Sequence, residues 1–445
     1  MKTKTILLAL CALTTLTATQ AQESWTLEQC IEQAQQNNIN VQQRALIVED
    51  SKVKIATAKY SRLPDLNASL GSNIYFGRGP SRDGTYKDNT QLSGTLGIST
   101  SIPIFQGLRI NKQIKGAKLD FGAAIQDMER AKEDVAVNVM TLYLQVLFNK
   151  ELVTVAEKQL ALSTQQMTKN RALVDQGRLP ISAIYESEAL QKNDEFSLTQ
   201  ARNELTLSLL NLSQALNRPS ADGFDVQVPR MDSLTLESLH QLGDPNRVYD
   251  YADAHRPMIA AERTRLASSE NALKIARAAR YPTVALSAGY GTNLYRSYAT
   301  GALNADFWSQ FRNNGNEYIG ASVRIPIFNR RATHNNIKSA HLAVRSQQLA
   351  LNEAQQNLRK EIEQAYYNAD GAFAKYRAAD KALASARVAF GFEQEKMDAG
   401  RSTLFNYNDA RTRMEKAESD LIQAKYEFVF RSKILDFYNG KPLQI

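Results

Sequence analysis

Long hydrophobic runs are almost absent from this chain of 445 residues, where only Ile6 to Leu16 comes close to one. A membrane-crossing helix needs about 20 consecutive apolar residues, so a polytopic helical membrane protein is excluded, and the mean hydropathy of -0.40 agrees. Cysteine is nearly missing as well, with Cys11 inside that run and Cys30 beyond it. Lys2 and Lys4 precede the run and Ala18, Thr19 and Ala21 follow it, which predicts a secretory signal peptide over 1–21. Its removal takes two lysines from a formal charge of +8 and leaves Cys30 without an intramolecular partner. Cys30 then reads as a small apolar helix residue. The four histidines, His240, His255, His334 and His341, show no metal spacing, and neither a G-x-S-x-G elbow nor a phosphate loop is present. Catalytic, cofactor-binding and metal-binding motifs are therefore lacking.

Proline is scarce, and its placement divides the chain. None interrupts Pro103 to Pro180 or Pro326 to Pro442. What fills the chain is written twice. Arg62-Leu63-Pro64 returns as Arg280-Tyr281-Pro282 at an offset of 218, and Ser101-Ile-Pro-Ile-Phe105 returns as Arg324-Ile-Pro-Ile-Phe328 at 223. Val174-Asp-Gln-Gly177-Arg178 returns as Met397-Asp-Ala-Gly400-Arg401 at the same 223. One unit is thus duplicated, with five extra residues between the two prolines of the second copy. The first repeat is expected over 22–217: a helix over 26–60, strands about 64–76 and 91–104, and a helical hairpin over 108–217. A linker over 218–245 leads to the second repeat over 246–436. It has a helix over 246–279, strands about 282–297 and 316–328 and a hairpin over 330–436, followed by a tail over 437–445. A proline-free helix from about Leu108 to Asp175 is on the order of 100 Å long at 1.5 Å per residue. Gly177 and Gly400 mark the points where each long helix reverses.

The strands alternate with period two. Leu66, Ala68, Leu70 and Ile74 interleave with Asp65, Asn67, Ser69 and Asn73, and Leu92, Leu96 and Ile98 interleave with Ser93, Thr95 and Ser99. Alternation alone also fits a half-buried hairpin of a soluble sheet. Three features favour strands that cross a bilayer: their length of about 11 to 14 residues, the signal peptide, and the polar loops Gly77 to Thr90 and Ala299 to Asn314. Aromatics such as Tyr75, Phe76, Tyr295 and Tyr318 lie towards their ends, as an interfacial girdle does. Open edges cannot face lipid and four strands are too few to close a barrel, so chains must pool them. Two chains would give eight strands, whose interior is filled by side chains, and three would give twelve and leave a channel; a channel wide enough to justify the long helices favours three.

With this order of elements, the paired Ile-Pro-Ile-Phe motifs and the Gly-Arg turns, the chain resembles the TolC family of outer-membrane efflux proteins. The resemblance implies a mainly α protein with a membrane β-barrel portion. It also implies a homotrimer with a shared 12-stranded β-barrel in the outer membrane and an α-helical barrel in the periplasm. The partners it implies are a periplasmic adaptor (membrane fusion) protein, an inner-membrane pump and outer-membrane lipid. It implies an exit duct without enzymatic chemistry, serving efflux or type I secretion. Strand-to-helix junctions fall at Pro64, Pro103, Phe105, Pro282, Pro326 and Phe328. The family's gate aspartates map to Asn406 and Asp409, so one of the two carboxylates is replaced, and its other gate positions map to Met397 and Ser402. A competing reading pairs Asp409 with Arg413 on a solvated helix face. The adaptor-docking tips are implied at Gly177, Arg178 and Leu179 with Gly400, Arg401 and Ser402.

Independently of any family, Ser51 to Pro64, Asn89 to Leu119, Asn271 to Ala305 and Tyr318 to Asn352 contain no Asp or Glu. Their cations include Arg62, Arg109, Lys112, Lys115, Lys118, Lys274, Arg277, Arg280, Arg330 and Arg331. These are expected to form a basic collar beside the membrane. Nucleic-acid binding, the other use of a basic surface, is disfavoured by the signal peptide. The rival to the duct is a periplasmic coiled-coil adaptor or scaffold with no membrane span.

Overall fold

The computed structural model describes residues 23–80, 84–88, 90–229, 242–299 and 302–444. The expected signal peptide, His240 and the middle of the 218–245 linker lie outside the described residues. The first half of the chain forms β1 (Glu23–Trp25), α1 (Leu27–Asn37), α2 (Ile39–Tyr60), β2 (Asn67–Tyr75), β3 (Arg78–Pro80), β4 (Tyr86–Asp88), β5 (Gln91–Phe105), α3 (Arg109–Asp175) and α4 (Ser182–Ala215). The second half forms β6 (Phe224–Val226), α5 (Pro245–His255), α6 (Pro257–Ala278), β7 (Thr283–Ser297), α7 (Phe307–Asn313), β8 (Gly315–Arg324), α8 (Ala332–Asp398) and α9 (Leu404–Tyr438). Two compact units result. A helical unit takes the residues up to Ala45, Asp127–Ile259 and those from Ala354 onward, and a sheet unit takes Leu46–Gln126 and Ala260–Glu353.

Each copy opens on two helices where the sequence suggested one, and the same break has two causes. Arg256 precedes Pro257, whose ring forces the preceding residue out of the helical region, and Arg256 has φ -70° and ψ 131°. The equivalent Asn38 has no proline after it, yet adopts ψ 127°. Its Oδ1 accepts from the Asn40 amide at 2.9 Å, capping α2. The long helices α3 and α8 are 67 residues each. Both end where Gly177 (φ 69°) and Gly400 (φ 71°) take the left-handed conformation. Arg178 N donates to Leu173 O and Arg401 N to Lys396 O, the bond of a Schellman cap.

The helical unit has an internal core. Cys30, Ala34, Val139, Met140, Leu212, Phe428 and Val429 are fully or almost fully buried in one cluster, and burial pushes the Cys30 thiol up to about 12. Strand β1 pairs in parallel with β6. The Tyr143 hydroxyl donates to Gln227 O at 2.6 Å and the Lys150 ammonium donates to Val226 O at 2.8 Å, so α3 fastens this ribbon by its backbone carbonyls.

The sheet unit carries a four-stranded antiparallel sheet in the order β2-β5-β7-β8, beside the two-stranded antiparallel pair β3-β4. Its registers preserve the duplication residue by residue. Asn67 faces Ser99 and Ala68 faces Ile98; at the two repeat offsets, Ala285 faces Ser322 and Leu286 faces Ala321. The inner strands β5 and β7 run 15 residues each, whereas the outer β2 and β8 run 9 and 10. The outer strands are therefore shorter than the 64–76 and 316–328 suggested by alternation. Each has a ladder partner on one side only. Ile102 to Phe105 lies inside β5 because β7 pairs with it, with a bulge between Pro103 and Phe105; its repeat Ile325 to Phe328 lies outside β8.

Candidate functional site

The sheet has two chemically different faces. Strand parity and register place Ala68, Leu70 and Ile74 of β2 beside Ile98, Leu96 and Leu92 of β5. The same face continues through Tyr290, Leu286 and Val284 of β7 to Ile319, Ala321 and Val323 of β8. It is not covered: Leu70 is 79 % exposed and Ile319 90 %. The opposite face presents Asn67, Ser69 and Asn73, then Ser93, Thr95 and Ser99, then Ser287, Asn293, Ser322 and Arg324. Among the described residues no helix is long and apolar enough to cross a membrane. An apolar surface this continuous marks a face meant for a non-aqueous neighbour or a partner.

At the junctions the chain turns from strand to helix through left-handed residues. Gly107 and Leu108 have φ 61° and 62°, and the repeat positions Arg330 and Arg331 have 54° and 62°. Gly107 is required by contact, since a Cβ there would lie 2.9 Å from the Tyr281 Cβ and 3.0 Å from Ala278 O. Arg331 carries a left-handed penalty of roughly 1–2 kcal/mol that glycine would not. Nearby, Asn271 Nδ2 donates to Lys112 O at 2.7 Å and Ser268 Oγ donates to Asp120 at 2.7 Å, tying α6 to α3. The proposed collar residues all belong to the sheet unit. Arg62 donates to Asn111 Oδ1 at 2.7 Å, Arg109 to Gln106 Oε1 and Lys112 to Gly107 O, so these three cations meet neutral oxygens. Lys115, Lys118, Lys274, Arg277, Arg280, Arg330 and Arg331 are exposed.

The residues suggested for a gate lie in and around the second helical turn. The Asp409 carboxylate pairs with Arg413 at 2.8 Å, both partly exposed, which is the local pairing the sequence offered as the alternative. Asn406 N donates to the Thr403 N-cap, Met397 O accepts from Gly400 N, and the Ser402 hydroxyl donates to Glu393. That bond, followed by the Lys396 ion pair, holds the Glu393 carboxyl below its ordinary value. The tips Gly177, Arg178 and Leu179 and Gly400 and Arg401 are the two Schellman turns, and Lys169 pairs with Asp398 just behind them.

Sequence reasoning missed the most buried charge in the helical unit. Arg411 of α9 is 1 % exposed. Its guanidinium reaches Asp194 of α4 at 2.6 Å, Glu415 at 2.6 Å and Gln159 O of α3 at 3.2 Å. Burial raises the Glu415 carboxyl despite the arginine. Only the Glu415 spacing of four residues was visible in the sequence; Asp194 is 217 positions away. The other omission is α7, inside a stretch read as a polar loop. Asp306 caps it by accepting from Ser309 N at 2.9 Å, and Phe307, Trp308 and Phe311 at i, i+1 and i+4 give one aromatic side.

Residues 30–218 and 248–438 match the family model described as outer membrane efflux protein. The outer membrane efflux protein BepC of Brucella suis biovar 1 (strain 1330) is 22 % identical over 420 residues, 94 % of this chain and 85 % of that protein. Among solved structures, CusC superposes with a TM-score of 0.77 at 17 % identity, covering 94 % of this chain and 92 % of that one. The MtrE outer membrane channel of Neisseria gonorrhoeae, solved in its open state, gives 0.72 at 19 % identity, covering 96 % and 93 %. At these identities the structural likeness carries the fold.

Proposed function

The chain belongs to the outer membrane efflux protein family, and from that premise we propose that three copies close one twelve-stranded barrel in the outer membrane, continued by their helices as a periplasmic duct. The protein is an outer-membrane efflux channel, and the reading as an adaptor without a membrane span is set aside. The observation that carries the trimer is the two-faced sheet with β2 and β8 at its edges. Unpaired strand edges are costly in lipid, and a barrel removes edges by closure. The repeat offers the register of the missing joint. Ser99 faces Gly289 inside the chain, so Ser322 of one protomer is expected opposite Gly71 of its neighbour. By the same shift Gly320 meets Asn73, Val323 meets Leu70, and Phe328 meets Leu66. Both faces stay chemically matched across the joint, and Ile325 to Phe328 gains the partner that Ile102 to Phe105 already has.

The apolar face then meets lipid and the polar face lines the channel. The collar around Arg62, Lys115, Arg277 and Arg330 sits at the inner leaflet, where some side chains snorkel to phosphates. The Gly177 and Gly400 turns are the surfaces offered to a periplasmic adaptor, itself joined to an inner-membrane pump that selects the cargo. Three copies of Asp409 form a carboxylate ring, weaker than a double ring because Asn406 replaces its second member and because Arg413 pairs with each Asp409. The Arg411 cluster ties α9 to the α3–α4 hairpin and serves as the latch.

The joint is tested by disulfide trapping. In a Cys30→Ala background, Gly320→Cys with Asn73→Cys is expected to give covalent dimers and trimers on oxidation in outer membranes, and neither single variant does. A link that forms only with Ser72→Cys in place of Asn73→Cys overturns the register. Absence of any link between the two edges overturns the pooled barrel.

A further inference from the structure

Strand β8 stops at Gly315, opposite Thr292, while β7 continues to Ser297. The far end of β7 therefore has an edge with no strand beside it, and α7 with its flanking loop occupies that place. Asn314 Nδ2 donates to Asn293 O at 2.7 Å and Gln310 Oε1 accepts from Tyr295 N at 2.7 Å. The Asn304 amide closes the last pair, accepting from Ser297 N at 2.7 Å and donating to Ser297 O at 2.8 Å. Side-chain amides thus stand in for the missing strand, and they hold α7 against the sheet. From there Phe311 leans over the apolar face. Thr292, on that face, is 2 % exposed. Phe311, Leu70, Leu96, Ile98 and Tyr290 border an open groove of about 320 Å³. Phe307 and Trp308 stay 50 % and 64 % exposed, packed edge to face at 5.2 Å.

We propose that α7 is an aromatic clamp lying in the outer leaflet against the outside of the barrel, and that the groove beneath Phe311 seats a lipid acyl chain. The inference rests on the outer-membrane reading, which makes the apolar face the lipid face. It follows from continuity: the groove is part of that face, about midway along β5 and β7, and α7 is held to the Asn293 to Ser297 end of β7, the end remote from α6. Tryptophan and phenylalanine on one side of a short helix, with the Arg312 cation beside them, suit the boundary between acyl chains and headgroups. Three clustered rings in water would have no such compensation. The polar loop expected over Ala299 to Asn314 is, in its second half, a lipid-binding element.

Trp25 and Trp308 are the only tryptophans in the chain, so Trp25→Phe, or Trp25→Tyr if the first folds poorly, leaves Trp308 as sole reporter. The full-length channel is reconstituted in phosphatidylethanolamine–phosphatidylglycerol vesicles with and without phospholipid brominated on the acyl chain. Trp308 emission is expected to shift to the blue and to fall at least twofold with brominated lipid, while aqueous iodide quenches it weakly. Strong iodide quenching without bromine quenching overturns the clamp. A control variant carries Leu70→Trp with Trp25→Phe and Trp308→Phe, reporting from the sheet face itself. If Leu70→Trp is quenched by bromine and Trp308 is not, the clamp alone fails; if neither is, the membrane reading of the sheet fails with it.

Discussion

The helical unit and the sheet unit dispose of apolar side chains in opposite ways. The first buries Cys30, Met140, Leu147, Leu212 and Phe428 against one another, while the second leaves Leu70, Ile319 and Val323 mostly exposed on its sheet. Their charges differ as sharply. The sheet unit holds 23 Lys and Arg against 11 Asp and Glu, and the remainder of the chain holds 31 against 35. The chain's whole basic excess therefore belongs to the sheet unit. A core keeps its own water out; an exposed apolar face beside a cationic border requires a lipid or protein neighbour to do so. One chain thus contains a part that packs against itself and a part completed by its surroundings.

Substitutions in both units test this contrast. The largest effect is expected from Arg411→Ala in the helical unit, which strands Asp194 and Glu415 as buried carboxylates and costs roughly 3–5 kcal/mol. Thermal melts of the solubilised channel followed by helical circular dichroism measure it, and Arg411→Met with Asp194→Asn and Glu415→Gln should recover most of the loss. Because the folded state raises the Glu415 carboxyl, that group binds its proton more tightly when folded. Its contribution to stability therefore increases as pH falls towards the carboxylate range, and Glu415→Gln removes this component from the melting profile.

Next comes a pair of neighbours on β2. Leu70→Arg places a charge on the apolar face proposed to meet lipid, at roughly 2–4 kcal/mol, and should deplete the protein from outer membranes. Ser69→Arg, one residue away on the other face, should assemble normally and alter single-channel conductance. Equal depletion by both breaks the distinction between the faces. Tyr143→Phe removes the hydroxyl that donates to the Gln227 carbonyl and should lower the melting temperature by the equivalent of roughly 1–1.5 kcal/mol. The smallest change is a gain. Arg331→Gly relieves a left-handed residue and should stabilise by about 1 kcal/mol, whereas Gly107→Ala, which meets Tyr281 at once, should destabilise.

Much of the architecture was legible because it depends on spacing along the chain. The duplicated motifs, the proline-free helices and the glycine turns are local or periodic, and the strand registers obey the same offsets of 218 and 223 residues. Cys30 as an apolar helix residue was legible for the same reason. The errors occur where a neighbour decides the outcome. Asn38 and Arg256 break their helices at one repeat position by different chemistry, and only the second announces itself with a proline. Ile325 to Phe328 alternates as well as Ile102 to Phe105 but has no strand beside it. Helix α7 was read as loop because Asn304, Gln310 and Asn314 look like loop residues until their amides are seen to replace a strand.

By itself the sequence determined the twofold repeat, the period of each element, the identity of the apolar and polar strand positions and the acid-free flanks. Those are properties of side-chain type and interval, which need no partner to be expressed. Only the tertiary structure decided that both strand pairs join in one sheet through β5 and β7, that Arg411 lies between two carboxylates from different helices, and that α7 folds over the apolar face. Each of these brings together groups far apart in the chain. Their energies come from excluding water and matching hydrogen bonds, quantities that exist only once the partners meet.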